Sequence, residues 1–69
     1  METITLKKEF IKLGQALKVS GIVSNGSDAK YYISEGLVLV NGEKEYQRGK
    51  KLYDNDIIEF NNVRVLIKK

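Results

Sequence analysis

The sequence contains no cysteine, no histidine and no proline. Without cysteine the chain has neither a disulfide nor a thiolate metal site. Without histidine it also lacks the usual general base and a common zinc ligand, so only carboxylates, lysine and tyrosine remain for catalysis. The acidic set Asp54, Asp56 and Glu59 lacks the loop pattern of a calcium site. We therefore expect a protein that is not an enzyme and that uses no metal ion or other cofactor.

Long hydrophobic runs are missing as well. No stretch approaches the roughly 20 apolar residues that a membrane-spanning helix needs, and the N-terminal Met1-Glu2-Thr3 has none of the features of a signal peptide. A cytoplasmic protein without a membrane partner is the default expectation. At 69 residues, the chain supports one compact core, so we expect a single domain over residues 1–69, a monomer with no deep cavity for a small-molecule substrate.

Hydrophobic spacing divides the chain into a strand, two helices and a cluster of strands. Residues 2–7 alternate polar and apolar side chains, which predicts an edge strand. Apolar residues at spacings of three and four from Leu13 predict a short first helix that ends at Gly21. Asn25 is an N-cap candidate for a second helix, which we expect to end at Gly36.

Two asparagine-containing turns follow. Asn41-Gly42 between two strand-like runs is the strongest short-range signal of a β-hairpin. Asn61-Asn62 joins two further strand-like runs, residues 57–60 and 63–67, and asparagine tolerates the positive φ of a tight turn. Because the helices come before the strand cluster and do not alternate with it, the α+β class is favoured over a parallel α/β sheet.

The net charge of +3 is unevenly distributed along the chain. Residues 44–51 contain the basic Lys44, Arg48, Lys50 and Lys51 against a single glutamate. This stretch includes Gly49 and lies between two strand signals, so we expect an exposed, irregular loop. One face of the second helix is also polar at 3.6 residues per turn. Its members are Ser27, Lys30, Tyr31 and Ser34.

If this helix face and the loop are neighbours, their positive charges converge on one surface, as recognition of a nucleic-acid backbone requires. Any single lysine is more often an ordinary solvated residue, but a cluster favours binding. Charge alone does not separate RNA from DNA, since both present phosphates. A second hypothesis is a protein-docking adaptor that pairs its hairpin or sheet edge with a larger partner.

Residues 24–60 resemble the S4 RNA-binding domain, named after ribosomal small-subunit protein four. The resemblance rests on Ala29-Lys30, on residues 35–43 (Glu-Gly-Leu-Val-Leu-Val-Asn-Gly-Glu) and on Lys51-Leu52, in this order. Residues 13–18 are similar to the preceding helix of that family. The small stand-alone bacterial members of YaaA type are the most similar in length and in their N-terminal residues.

The resemblance implies an α-L motif, in which two short packed helices are followed by a small antiparallel sheet. It further implies binding of structured RNA, often ribosomal or transfer RNA, without catalysis, in ribosome assembly or translation. Two positions depart from the family pattern: Gln47 replaces the first of a pair of arginines, and Asn55 replaces a glycine. The RNA-binding residues that the resemblance implies are Ser27, Asp28, Lys30, Ser34, Arg48, Lys50 and Lys51.

Overall fold

Two helices pack against one side of a mixed β-sheet in the computed structural model, which describes residues 1–69. The predicted α+β class is confirmed by this arrangement. No helix has the length and apolarity needed to cross a membrane. In chain order the elements are β1 (Glu2–Thr5), β2 (Ile11–Lys12), α1 (Leu13–Val19), α2 (Gly26–Ser34), β3 (Leu39–Val40), β4 (Glu43–Lys44), β5 (Lys51–Leu52), β6 (Ile57–Phe60) and β7 (Val63–Lys68).

Both helices begin where the sequence predicts, and each ends two residues before its predicted glycine, α1 at Val19 and α2 at Ser34. The apolar face of α1 is fully buried, and the chain leaves the helix through Gly21 at a φ of 82°. At the start of α2, Asn25 has an extended backbone, and its Oδ1 accepts a hydrogen bond of 2.8 Å from the backbone N–H of Asp28. This bond satisfies one of the four amide groups that a helix start leaves without a partner. Gly36 follows α2 at a φ of 72°.

The main sheet has the strand order β1-β7-β6-β3-β4. Its inner strands pair antiparallel, but β1 pairs with β7 in parallel, with Ile4 opposite Ile67. The edge position predicted for the N-terminal strand is confirmed, whereas the sheet is mixed and not wholly antiparallel. A parallel pair requires a long crossover connection, and the chain supplies it because both helices lie between β1 and β7.

The two predicted turns have the expected backbone. Asn41 and Gly42 both have positive φ, 53° and 86°, which fits the two-residue hairpin that joins β3 to β4. Asn61 and Asn62 have φ of 49° and 67° between β6 and β7. Asn55, the position at which the sequence departs from a family glycine, has a φ of 77°. Asparagine is among the few residues other than glycine that tolerate a positive φ, so asparagine at residue 55 is compatible with the turn.

The core is a single hydrophobic cluster between the helices and the sheet. It contains fourteen buried residues, and no polar or charged residue is buried. Leu13 and Leu17 of α1 meet Ile33 of α2 and the inward side chains of the sheet, Ile58 and Val65. With no cysteine available, this burial is the main source of stability.

Candidate nucleic-acid interface

The basic loop, defined here as residues 47–51, is attached to the start of α1 by main-chain hydrogen bonds. Leu13 N–H donates to the carbonyl of Lys50 at 2.8 Å, and Gly14 N–H donates to that of Arg48 at 3.0 Å. The first amides of a helix have no hydrogen-bond partner within the helix. Here the backbone carbonyls of the loop accept these bonds. The short pair β2–β5, with Lys12 opposite Lys51, continues the attachment. The loop is therefore held in place although its side chains are exposed.

Gly14 brings the side chain of Arg48 against α1. A Cβ atom at residue 14 would lie 2.6 Å from Cγ of Arg48 and 3.2 Å from its Cδ. Real Cβ contacts are not this short, so any larger residue would displace the arginine. The close approach places the aliphatic stem of Arg48 on the first turn of the helix.

A cavity of about 320 Å³ opens between α1, the start of α2 and the basic loop. Three cationic side chains line this basic cavity, those of Lys12, Lys18 and Arg48, and no acidic side chain does. Small residues keep it open on the helix side. The remaining lining residues are Gly14, Gln15, Gly26, Ala29 and Gly49.

None of the three cations has a carboxylate partner. Only two ion pairs are present in the chain, Lys68 with Asp54 at 3.6 Å and Lys69 with Glu9 at 3.0 Å. Both involve the last two residues and leave the basic cavity uncompensated. An uncompensated concave cluster of one sign attracts counter-ions of the other.

The residues predicted on α2 border this cavity without lining it. Ser27 and Lys30 are exposed and Asp28 is half-buried, and all three lie within four residues of Gly26, about one helical turn. Ser34 is at the far end of the helix, where its hydroxyl donates to the carbonyl of Tyr31 at 2.9 Å. The first turn of α2 and the basic loop are thus brought together, while Ser34 lies apart from the cavity.

The two predicted lysines of the loop differ in their surroundings. Lys50 is exposed, with its backbone carbonyl bonded to α1. The ammonium group of Lys51 lies 4.7 Å from the ring centroid of Phe10, a cation–π distance. Lys51 keeps its charge near the surface but has a partner within the protein, so Lys50 is the freer of the two.

Sequence reasoning missed the contribution of α1. Lys12, Gln15 and Lys18 recur every third residue, and at 100° per residue they share the helix face that points away from Leu13 and Leu17. This spacing was a usable signal. The basic residues within 44–51 predicted the contribution of the loop but not that of α1.

Two acidic residues after the basic loop, Asp54 and Asp56, stabilise the local backbone. The carboxylate of Asp56 accepts hydrogen bonds from Nδ2 of Asn41 at 3.0 Å and from the N–H of Tyr53 at 2.7 Å. Asp54 Oδ1 accepts from the N–H of Lys69 at 2.8 Å. No group of three or more acidic side chains is placed to hold a metal ion.

Comparison with known proteins gives one consistent family. The family model described as "S4 domain" matches residues 4–68. The probable ribosome maturation protein RlbA of Bacillus subtilis (strain 168) is 45% identical over 56 residues, which cover 81% of this chain and 79% of that protein. The solution structure of YbcJ from E. coli, described as having an alfaL motif involved in RNA-binding, superimposes with a TM-score of 0.77 and 30% identity. The match covers 100% of this chain and 89% of YbcJ.

Proposed function

The chain belongs to the S4 domain family, and we propose that it is a non-catalytic RNA-binding protein of ribosome assembly or translation. The resemblance read from residues 24–60 is confirmed by the family match, and the α-L motif by the structural neighbour. Support for an RNA partner comes from the description of YbcJ, and support for the ribosome comes from the name of RlbA. We further propose that the chain acts as a cytoplasmic monomer on structured ribosomal RNA.

The basic cavity is the observation that carries this proposal. It places Lys12, Lys18 and Arg48 around one concavity with no acidic residue among its lining. Phosphate groups fit such a cavity, because they accept hydrogen bonds and carry the opposite charge. We assign Arg48 to a bidentate phosphate contact, since its stem lies against Gly14 and the residue is exposed at the cavity.

The surrounding predicted residues extend the contact beyond the cavity. We assign Lys30, Lys50 and Lys51 to further phosphates, and the hydroxyls of Ser27 and Ser34 to phosphate or ribose oxygens. Asp28 is an acceptor only, so it suits a ribose 2′-hydroxyl or a base amino group and not a phosphate. Recognition then follows the shape of a folded RNA, with phosphates fixing the position.

The salt dependence of binding tests the electrostatic part. Four phosphate contacts from Lys30, Arg48, Lys50 and Lys51 predict a slope of log K against log salt of about −3 to −4. If Lys12 and Lys18 add two more phosphate contacts, we expect a slope of about −4 to −5. Fluorescence anisotropy of labelled, folded fragments of ribosomal RNA measures this slope, and a value near zero would contradict the proposal.

The two arginines of the chain provide a matched pair of variants. Arg48→Gln removes the cation at the cavity and should make the slope of log K against log salt less negative by about one. Arg64→Gln is the control, because Arg64 is also exposed but lies on β7 opposite Glu59. Equal effects of the two changes on RNA affinity would show that binding does not use the basic cavity.

Two further measurements separate the alternatives. Duplex DNA of equal length should bind more weakly than folded RNA, because recognition of the 2′-hydroxyl distinguishes the two. Crosslinking in cells, followed by sequencing of the attached RNA, should recover ribosomal RNA. Recovery of no ribosomal RNA, with in vitro RNA binding intact, would overturn the ribosomal target and leave the RNA-binding function.

A further inference from the structure

A second groove lies next to the basic cavity along α1, shares Lys12 and Gln15 with it and contains apolar side chains. It has a volume of about 620 Å³ and runs between β1 with the segment after it and the outer side of β2 and α1. Leu6, Phe10 and Ile11 form part of its wall, and Val19 closes it at the end of α1. The basic cavity, in contrast, has a single hydrophobic lining residue. We call this second feature the apolar groove.

Val19 is the apolar side chain of the groove that solvent reaches most easily. Its exposed fraction is 61%, although valine at the end of a short helix gains nothing from water contact. Phe10 and Ile11 are only half-buried beside it. The groove therefore has apolar side chains that this chain leaves partly uncovered.

The groove lies beside a free sheet edge. β1 is the first strand of the sheet and pairs only with β7. Since Leu6 N–H donates to the carbonyl of Lys68, residues at even positions direct their backbone groups toward β7, and Thr3 and Thr5 direct theirs away from it. No proline and no bulge protects this edge, so it presents both amide donors and carbonyl acceptors to a partner.

The charged residues of the groove are all positive. Lys7, Lys8 and Lys12 line it, and no acidic residue does. The nearest acid in the sequence, Glu9, is occupied by its ion pair with Lys69. The groove therefore complements a negatively charged partner that also carries apolar side chains.

We propose that the free edge of β1 and the apolar groove form a docking site for an extended, acidic segment of a partner protein. The segment adds a strand to β1, with hydrogen bonds to Thr3 and Thr5, and its alternate apolar side chains enter the groove. Its acidic residues pair with Lys7 and Lys8. RNA phosphates fit this site less well than a peptide strand, because they cannot donate hydrogen bonds to the carbonyls of Thr3 and Thr5 and gain nothing from the apolar walls.

A designed peptide tests the site directly. The probe is an end-capped peptide of about eight residues, long enough for one strand, in which valine or isoleucine alternates with glutamate or aspartate. It is added to the full chain labelled with nitrogen-15. We expect chemical-shift changes at Thr3, Thr5 and Val19, and slower hydrogen exchange of the two threonine amides. The same peptide with lysine at each acidic position should bind about tenfold more weakly or not at all.

Two exposed apolar residues give a matched pair of variants. Val19→Ser removes the apolar contact at the groove and should weaken binding of the acidic peptide about fivefold or more. Leu37→Ser is the control, since Leu37 is 50% exposed and is not part of the groove. Neither residue is in the core, so both variants should fold, and both should keep the RNA affinity of the unchanged protein.

Five results would overturn the proposal of an acidic docking segment. The first three are no binding of the acidic peptide, equal binding of the lysine peptide, and equal effects of Val19→Ser and Leu37→Ser. The fourth is an RNA fragment that perturbs Thr3, Thr5 and Val19 and loses affinity in Val19→Ser, which would assign the groove to RNA. The fifth is self-association of the unliganded chain with the same shifts, which would identify a second copy as the occupant and would contradict the acidic segment. RNA binding with no peptide binding would leave the proposed function standing and reject this inference alone.

Discussion

At the scale of single residues, Arg48 reaches the basic cavity because residue 14 has no side chain. Gly14→Ala would place a Cβ atom 2.6 Å from Cγ of Arg48, so the arginine must turn away from α1. We expect RNA affinity to fall about tenfold, as for the loss of one charged contact. The free energy of unfolding should change by about 1 kcal/mol or less, since alanine favours the helix while the arginine moves. Anisotropy and urea denaturation measure the two quantities.

Gly49→Ala is the control for this change. Gly49 is next to Arg48 and lines the same cavity, but a Cβ atom there meets nothing within 4 Å. Its RNA affinity should match that of the unchanged protein. If Gly14→Ala also leaves affinity unchanged, the position of the Arg48 stem has no role in binding.

The residues that sequence alone predicted are those whose role depends on near neighbours. Asn41 and Gly42 have the positive φ that their hairpin needs, and Asn25 caps the helix that it precedes. Gly14 was not predicted, because its role depends on Arg48, which lies far away in the sequence and meets it only after folding. The spacing of Lys12 and Lys18 is visible in the sequence, but the cavity that brings them next to Arg48 is formed by three separate segments and exists only in the folded chain.

At the scale of elements, the start of α2 depends on one side chain. Asn25→Ala removes the hydrogen bond to the N–H of Asp28 and should lower the free energy of unfolding by about 1 kcal/mol. The first turn of α2 carries Ser27 and Asp28, so fraying of that turn should also weaken RNA binding. Thermal and urea unfolding followed by circular dichroism measure the stability.

Asn25→Ser separates the cap from other effects at this position. Serine caps helices about as well as asparagine and adds no charge near the basic cavity. We expect both stability and RNA affinity to stay close to those of the unchanged protein. A loss in Asn25→Ser as large as in Asn25→Ala would mean that the amide of Asn25 acts on RNA directly.

The elements differ in how far their arrangement was predictable. Helix spans and hairpin turns follow from local spacing and turn residues, and they are found as expected. The direction of β1 was not predictable, because an edge strand with alternating residues fits either a parallel or an antiparallel orientation. Its parallel pairing with β7 depends on the crossover through both helices, a property of the whole chain.

At the scale of the whole molecule, the core under the sheet and the basic surface are separate. Ile4 of β1 is buried and lies opposite Ile67, whereas the basic cavity is formed by α1, α2 and the loop. Ile4→Val should therefore lower the free energy of unfolding by about 0.5–1.5 kcal/mol. For a domain of this size that corresponds to a fall of about 4–8 °C in Tm for each kcal/mol.

RNA affinity should not follow this loss of stability. Ile4→Val removes one methyl group from the core and leaves the charges of the basic cavity in place. Measurements at about 10–20 °C, roughly where the stability of a domain is greatest, should therefore give an unchanged affinity and salt slope. Thr3→Ala, an exposed change in the same strand, controls for the strand itself and should alter neither quantity. A fall in RNA affinity of fully folded Ile4→Val would instead show that the sheet adjusts the spacing of α1 and the basic loop. The two halves of the domain would then act as one unit, because β2 connects the strand segment to α1 and pairs with the end of the loop.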